Sequence, residues 1–299
     1  MRVIFFGTLC AFSTAPLRLL IEAGHDLCAI VTPTNQAAGG RSIALLSPPY
    51  LAAIPLIAMT GAPSIVSIAW EHQIPVYEIN RLAADETLVT VKRLQPDIIC
   101  VACFPKRIPA ALLSVPSWGF LNIHPSLLPH YRGPHPLFWM LRQGDRRFGV
   151  TIHFMNERLD TGDIAAQAKV DLPDGLSGEE IDCALSQYSA ELLLDVLHQL
   201  ENGHLLRHVQ APGGSYYPAP QESDFTIDAA WSAQRAFNFM RGTNEWLQSY
   251  SIEVTGQRFT LKQALFYASR EVLDQPYRLL GEQQIDIQFS PGVLRALIA

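Results

Sequence analysis

The 299-residue chain is 48% hydrophobic and 17% charged, which supplies enough apolar side chain for a substantial core and excludes a disordered segment. A net charge of −6, with only four Lys among 22 cationic residues, excludes a general basic field for polyanions, so any such partner would need a local patch. The five cysteines, at 10, 28, 100, 103 and 183, are odd in number and lie mostly in apolar runs, which excludes a disulfide framework and reads as reduced, buried thiols of a cytoplasmic protein.

From the N-terminus, RVIFF (2–6) reads as a strand meeting a Gly-Thr turn, and its apolar run is too short for a signal peptide. APLRLLIEAG (15–24) predicts a helix stopped by Gly24, and DLCAIVT (26–32) a second strand. The apolar run IALLSPPYLAAIPLIAM (43–59) is broken by three prolines and falls short of the roughly 20 residues of a membrane helix; no membrane partner is expected, and the run should pack on the first domain or cover a cleft. DIICVACF (97–104) reads as a buried strand, a better account of its CxxC spacing than a redox or metal motif, and GFLNIH (119–124) as another. Strands alternating with helices predict an α/β fold with a doubly wound, parallel, Rossmann-like sheet.

GVTIHFMN (149–156) predicts a further strand, followed by RLDTGDIAAQAKVDL, a turn feeding the next one. The clearest helix has Ser177 and Glu180 as a capping box, apolar positions Ile181, Leu185, Tyr188, Leu192, Val196 and Leu200, and Gly203 at its end. It closes a first domain at 1–203. Residues 204–222 lose periodicity as a linker does, and 223–299 read as a second domain. That domain opens with a helix carrying Trp231, Phe237 and Met240 and continues as a small β-rich barrel.

The chemistry concentrates in NIHPSLLPHYRG. On a strand, the period of two puts Asn122 and His124 on one face, at the carboxyl end where open α/β sheets bind ligands. An amide that donates to a developing oxyanion beside an imidazole that moves protons suits acyl-type transfer; the bland alternative is a turn-capping Asn and an ordinary histidine. His130 and His135 follow His124 in steps of six and five residues through a Pro-rich loop, which matches no common zinc spacing. Asp163 reads as a turn or wall residue.

NIHPSLLPHYRG together with LDTGD (159–163), where Asp160 lies 160 − 122 = 38 positions after Asn122, resembles the folate-dependent formyltransferase family. That family includes methionyl-tRNA formyltransferase, glycinamide ribonucleotide transformylase and the sugar-amine N-formyltransferases. MRVIFFGT, FPKRIPAALL and IDAAWSAQRAFNFMRGT extend the resemblance over most of the chain except 36–62. It implies Asn122, His124 and Asp160 as the catalytic group, with 10-formyltetrahydrofolate as donor and no metal. It further implies Phe104, Lys106, Arg107, Ile108, Glu157 and Leu159 against the folate, largely through backbone. Ser126, Leu127, Pro129, Arg132 and Gly133 would shape the cleft to the acceptor, with a cis bond at Leu128-Pro129. Asp160 would keep His124 cationic and take the amine's proton. The C-terminal domain would be an OB-like barrel.

The acceptor is an amine, either a small molecule or tRNA. Relatives that act on methionyl-tRNA carry a basic loop where this chain, over 35–62, has Arg41 as its sole cation. Residues 220–299 hold seven cations and nine acids, a balance of 7 − 9 = −2. RGPHPLFWML, with Trp139, resembles the sugar-amine transferases. A small amine such as an amino sugar is therefore favoured. Methionyl-tRNA formyl transfer and hydrolysis of the donor are the alternatives, and a non-catalytic folate-binding role is disfavoured by the intact Asn122, His124 and Asp160.

Overall fold

The computed structural model describes residues 1–35, 40–48, 63–246 and 248–299. The elements run β1 (Arg2–Gly7), α1 (Thr14–Glu22), β2 (Asp26–Pro33), β3 (Ile43–Leu46), α2 (Ile65–Glu71), β4 (Val76–Ile79), α3 (Asp85–Leu94), β5 (Ile98–Ala102), α4 (Ala110–Leu113), β6 (Phe120–His124), α5 (Pro136–Gln143), β7 (Phe148–Phe154), β8 (Ile164–Val170) and α6 (Gly178–Glu201). Then come β9 (Thr226–Ile227), α7 (Ala233–Gly242), β10 (Tyr250–Val254), β11 (Gln257–Ala268), β12 (Tyr277–Leu280), β13 (Gln284–Gln288) and β14 (Val293–Ile298).

The first eight strands form one sheet in the order β3-β4-β2-β1-β5-β6-β7-β8. β1 pairs in parallel with β2 and β5, so the chain winds first to one side of β1 and then to the other, a topological switch point. The sheet is mixed, not wholly parallel as expected: β3 runs antiparallel to β4, and β7 antiparallel to β6. The reason is that every residue of β7 is buried, and a strand covered on both faces reads as a continuous apolar run whichever way it points. Period-two alternation does set faces. Ile4 and Phe6 of β1 join Ile99 and Val101 of β5, Val31 of β2 and Phe120 of β6 in one apolar cluster.

Close contacts divide the chain into two compact units, interleaved in sequence and not parted at a single linker. The first holds Met1–Arg132, Gly149–Lys169 and Cys183–Ser215; the second holds Gly133–Phe148, Val170–Asp182 and Tyr216–Ala299. In the second, a six-stranded sheet has the order β12-β13-β14-β11-β10-β9. Its apolar centre is aromatic. Phe239 of α7 lies 5.4 Å from Phe138 of α5 and 5.7 Å from Tyr250 of β10, ring centre to ring centre. Phe239, not Phe237, is therefore the buried aromatic of α7; Phe237 rests against Tyr267 at 5.0 Å.

The Ser177–Glu180 box starts α6 as expected. The Ser177 N–H donates to the Glu180 carboxylate at 2.7 Å, and the Glu180 N–H to Ser177 Oγ at 3.2 Å. Along α6, Ile181, Leu185, Val196 and Leu200 are buried, whereas Tyr188 is 46% exposed. Of the apolar run 43–59, Ile43–Leu46 form the sheet-edge strand β3, and 49–59 fall outside the described residues, as does the expectation attached to them. Among the described residues no helix is long and apolar enough to cross a membrane.

Candidate active site

Asn122 and His124 project from β6, and the antiparallel register sets His153 of β7 opposite Asn122 and Thr151 opposite His124. The hydrogen bonds assign both histidine tautomers. His153 Nδ1–H donates to the Phe154 carbonyl at 3.0 Å, so its Nε2 is the acceptor, taking an N–H from Asn122 Nδ2 at 3.1 Å. The Asn122 amide is thereby fixed with its nitrogen toward His153, and one N–H remains to donate elsewhere. His124 Nε2–H donates to the Tyr131 carbonyl at 3.0 Å, which turns Nδ1 toward Asp160 Oδ1, 3.9 Å away. Asp160 Oδ1 also lies 3.7 Å from His153 Nε2. The fold thus gathers Asn122, His124 and Asp160, and adds His153.

Burial is the largest influence on His124 and pulls its pKa below the ordinary imidazole range, against the opposing pull of Asp160. The resting ring is accordingly neutral at pH 7. That direction runs against the standing imidazolium the resemblance implied, as desolvation of a side chain that is 4% exposed would have it.

Asp160 sits in the left-handed region at φ 53°, uncommon for a residue with a side chain. Its carbonyl accepts from Gln210 Nε2 at 2.8 Å and from Arg132 Nε at 3.1 Å. Gln210 Nε2 also donates to the Gly162 carbonyl at 2.8 Å, and its Oε1 accepts from Arg132 at 2.6 Å. Gly162 has a steric cause of its own: a Cβ there would overlap the Phe154 carbonyl. The LDTGD turn is thus pinned by backbone contact on one side and an Arg-Gln clamp on the other.

The loop after β6 is held as firmly. Leu128-Pro129 is cis, as the resemblance implied. Thr151 Oγ1 donates to the Ser126 carbonyl at 2.6 Å and accepts the Leu128 N–H at 3.1 Å, while Ser126 Oγ donates to the His130 carbonyl at 2.8 Å. Leu127 packs beneath Gly149, where a Cβ would overlap its side chain. The Pro129 carbonyl accepts from the Ser215 N–H at 3.2 Å. In the second unit, Gly133, at φ 117°, leaves no room for a Cβ against the Tyr217 carbonyl. Asp163 contributes its backbone carbonyl, which accepts the Phe154 N–H at 2.8 Å.

An open cleft of about 780 Å³ in the first unit is lined by Arg81–Ala84, Lys106–Ala110 and Glu157. Of the expected folate contacts, Lys106, Arg107, Ile108 and Glu157 lie on it. Phe104 packs on Phe6 at 5.1 Å, and Leu159 is exposed away from this lining. The Lys106 ammonium donates to the carbonyls of Thr34 at 3.0 Å and Asn80 at 2.8 Å, so its charge ties together the ends of β2 and β4. Among the described residues no group of three or more His, Cys, Asp or Glu side chains is arranged to hold a metal ion.

Sequence reasoning missed His153 and Gln210. His153 had a signal, since a polar pair two apart, Thr151 and His153, interrupts an otherwise apolar strand. Gln210 had none, because it lies in the aperiodic stretch 204–222.

A Rossmann-like sheet that aims an amide, two imidazoles and a carboxylate at one point defines an α/β enzyme suited to acyl-type group transfer. The chain belongs to the formyl transferase family, which it matches over residues 1–197. It is 31% identical over 253 residues to the methionyl-tRNA formyltransferase of Clostridioides difficile (strain 630), covering 84% of this chain and 76% of that one. With the methionyl-tRNA formyltransferase of Citrifermentans bemidjiense (strain ATCC BAA-1014 / DSM 16622 / JCM 12645 / Bem) it shares 33% over 252 residues, 84% of this chain and 74% of the relative. Among solved structures it is similar to WlaRD, a sugar 3N-formyl transferase crystallised with dTDP and 5-N-formyl-THF, at TM-score 0.69 and 14% identity over 100% of this chain and 97% of that one. The Helicobacter canadensis N-formyltransferase gives TM-score 0.67 at 12% identity, covering 100% of both chains. At these identities the structural likeness speaks for the fold.

Proposed function

We propose that the protein transfers a formyl group from 10-formyltetrahydrofolate to an amine. The observation that carries this reading is the convergence of Asn122, His124 and Asp160, with His153 orienting the amide. In this account the pterin enters the cleft lined by Lys106–Ala110 and Glu157, where backbone groups are within reach of an aromatic ring system. The remaining N–H of Asn122 donates to the formyl oxygen as that oxygen gains charge. His124 is neutral beforehand, so it accepts the proton shed by the attacking amine. The nearby Asp160 carboxylate stabilises the imidazolium so formed, and His124 then returns the proton to the departing folate nitrogen.

For the acceptor we propose a small amine such as an amino sugar, on electrostatic grounds: the chain carries −6 overall and −2 over 220–299, a poor counterpart to a polyanion. Methionyl-tRNA is the second reading, favoured by identities of 31% and 33% to methionyl-tRNA formyltransferases across most of the chain. Incubating the protein and 10-formyltetrahydrofolate with a panel of amino-sugar nucleotides and, separately, charged initiator tRNA, followed by mass spectrometry for the formyl adduct, decides between them. Formate release that is indifferent to any added amine would mean a hydrolase and overturn the transferase reading.

A further inference from the structure

The CxxC spacing makes Cys100 the obvious partner for Cys103, and the fold separates them. Cys100 is fully buried within β5, where burial pushes its thiol up to about 12. Cys103 lies one residue past the end of β5, exposed, at φ 54°. Its neighbour is Cys10, ninety-three positions away by 103 − 10, in the turn that follows β1. β1 and β5 are adjacent parallel strands paired to their last residues, Gly7 opposite Ala102, so the two cysteines leave the sheet side by side at the switch point. The Cys103 side chain hydrogen-bonds the Cys10 sulfur.

The surroundings of Cys10 favour the anion. Thr8 Oγ1 donates to Cys10 Sγ at 3.3 Å, and Ser13 Oγ lies 3.4 Å from it. Ser13 Oγ also lies 3.1 Å from the Ala102 carbonyl, so the turn after β1 sits against the end of β5 and the one hydroxyl proton can serve either acceptor. Hydrogen bonding from Cys103 above all, then from Ser13 and Thr8, holds the Cys10 thiol down to about 5, with burial opposing. A half-buried sulfur lined by hydroxyl groups and set beside an exposed second sulfur is the arrangement of an attacking cysteine and its resolving partner.

We propose that Cys10 and Cys103 form a dithiol site that hydrogen peroxide converts to an intramolecular disulfide. Cys10 sulfur attacks one peroxide oxygen, the O–O bond breaks, and Cys10 becomes a sulfenic acid while the departing hydroxide, taking the proton that Cys10 had given to solvent, leaves as the first water. Cys103 sulfur then attacks Cys10 sulfur, the S–S bond forms, the S–O bond breaks, and the hydroxyl departs with the Cys103 proton as a second water. Two thiols are oxidised and one peroxide is reduced to two waters. The bridge ties the turn after β1 to the segment leading into Lys106–Ala110, one wall of the cleft.

The test uses the whole reduced protein treated with hydrogen peroxide, denatured, alkylated and digested. Thiol titration should fall from five to three, and mass mapping should find the Cys10 and Cys103 peptides joined and released by dithiothreitol. In Cys103→Ser the join should vanish while Cys10 is captured by dimedone as a sulfenic acid. Cys183, exposed on α6, is the internal control and should stay alkylatable. Recovery of Cys10 as sulfinic acid with Cys103 still alkylatable, or oxidation of Cys183 at the same peroxide dose as Cys10, would overturn the proposal.

Discussion

In the proposed reaction the Asn122 amide must be held in one orientation to donate to the oxyanion, and the acceptor it meets in the fold is His153 Nε2 at 3.1 Å. Asn122→Ala should leave the fold intact and lower turnover by about 10² to 10³, the usual cost of one oxyanion donor; a folded variant with near-normal turnover would sink the assignment. His153→Leu removes the orienting acceptor but not the amide. Since one such hydrogen bond is worth about 1 kcal/mol, kcat should fall roughly fivefold with little change in KM. His153→Gln, whose carbonyl can still accept, should recover part of that loss, and equal rates for the Leu and Gln variants would show that His153 only packs. The His153 tautomer is set by geometry that no single residue's context could supply, since it needs β6 and β7 in register.

At the scale of an element, the β7–β8 turn carries Asp160 and is built by exclusion. Gly162 lies against the Phe154 carbonyl with no space for a methyl group, while Arg132 and Gln210 hold the Asp160 carbonyl from the opposite side. Gly162→Ala must displace one strand end, at a cost of about 1 to 3 kcal/mol typical of overpacking. Urea denaturation should show that loss, and activity should fall with it because Asp160 moves away from His124. An unchanged unfolding midpoint would mean that the turn has slack the contacts do not suggest. Much of this element was legible. The LDTGD motif marks a tight turn, and the strands on either side were expected. The clamp was not legible, because Gln210 is 210 − 160 = 50 residues away and belongs to no periodic pattern.

For the molecule as a whole, the buried titratable groups set how stability responds to acid. His124 has a folded pKa below its unfolded value of 6.5, so between the two the unfolded chain binds more protons, and stability falls as pH drops through that window. Asp286 is held below 3.8, first by its hydrogen bond to Arg295 at 2.7 Å and then, against burial, by Arg278. Asp174 is likewise depressed: burial is its largest influence and opposes, but Asn238, Gln234, Tyr267 and Arg146 together prevail. Both carboxylates contribute stability that is present above 3.8 and lost as pH falls through their folded pKa values. Thermal melts from pH 7.5 to about 3 should therefore lose stability in two stages. His124→Gln should lessen the upper stage, which the burial-lowered His25 and His135 and the Cys10 thiol share, and Asp286→Asn should weaken the lower one. A His124→Gln protein that matches wild type in the slope between pH 6.5 and 5 would contradict the neutral, buried state of this ring.

The sequence by itself determined the strands at 2–6, 26–32, 97–104, 119–124 and 149–156, the helix between the first two, the doubly wound alternation, the capping box of α6, and the two motifs that carry Asn122, His124 and Asp160. Each of those is written in residues close together along the chain, as a period, a cap or a motif. Strand direction was not readable, because β7 is buried on both faces and its apolar run is the same in either sense. The helix face of α7 was misjudged: Phe237 and Phe239, two positions apart, lie on nearly opposite faces, Met240 is close to either, and the aromatic cluster around Phe138 decides which is inside. His153 as the orienting group, Gln210 as the clamp, the neutral state of His124 and the pairing of Cys10 with Cys103 all depend on groups from different strands and loops. Desolvation and hydrogen-bond geometry come into being only when those groups are brought within a few ångströms, and only the tertiary structure does that.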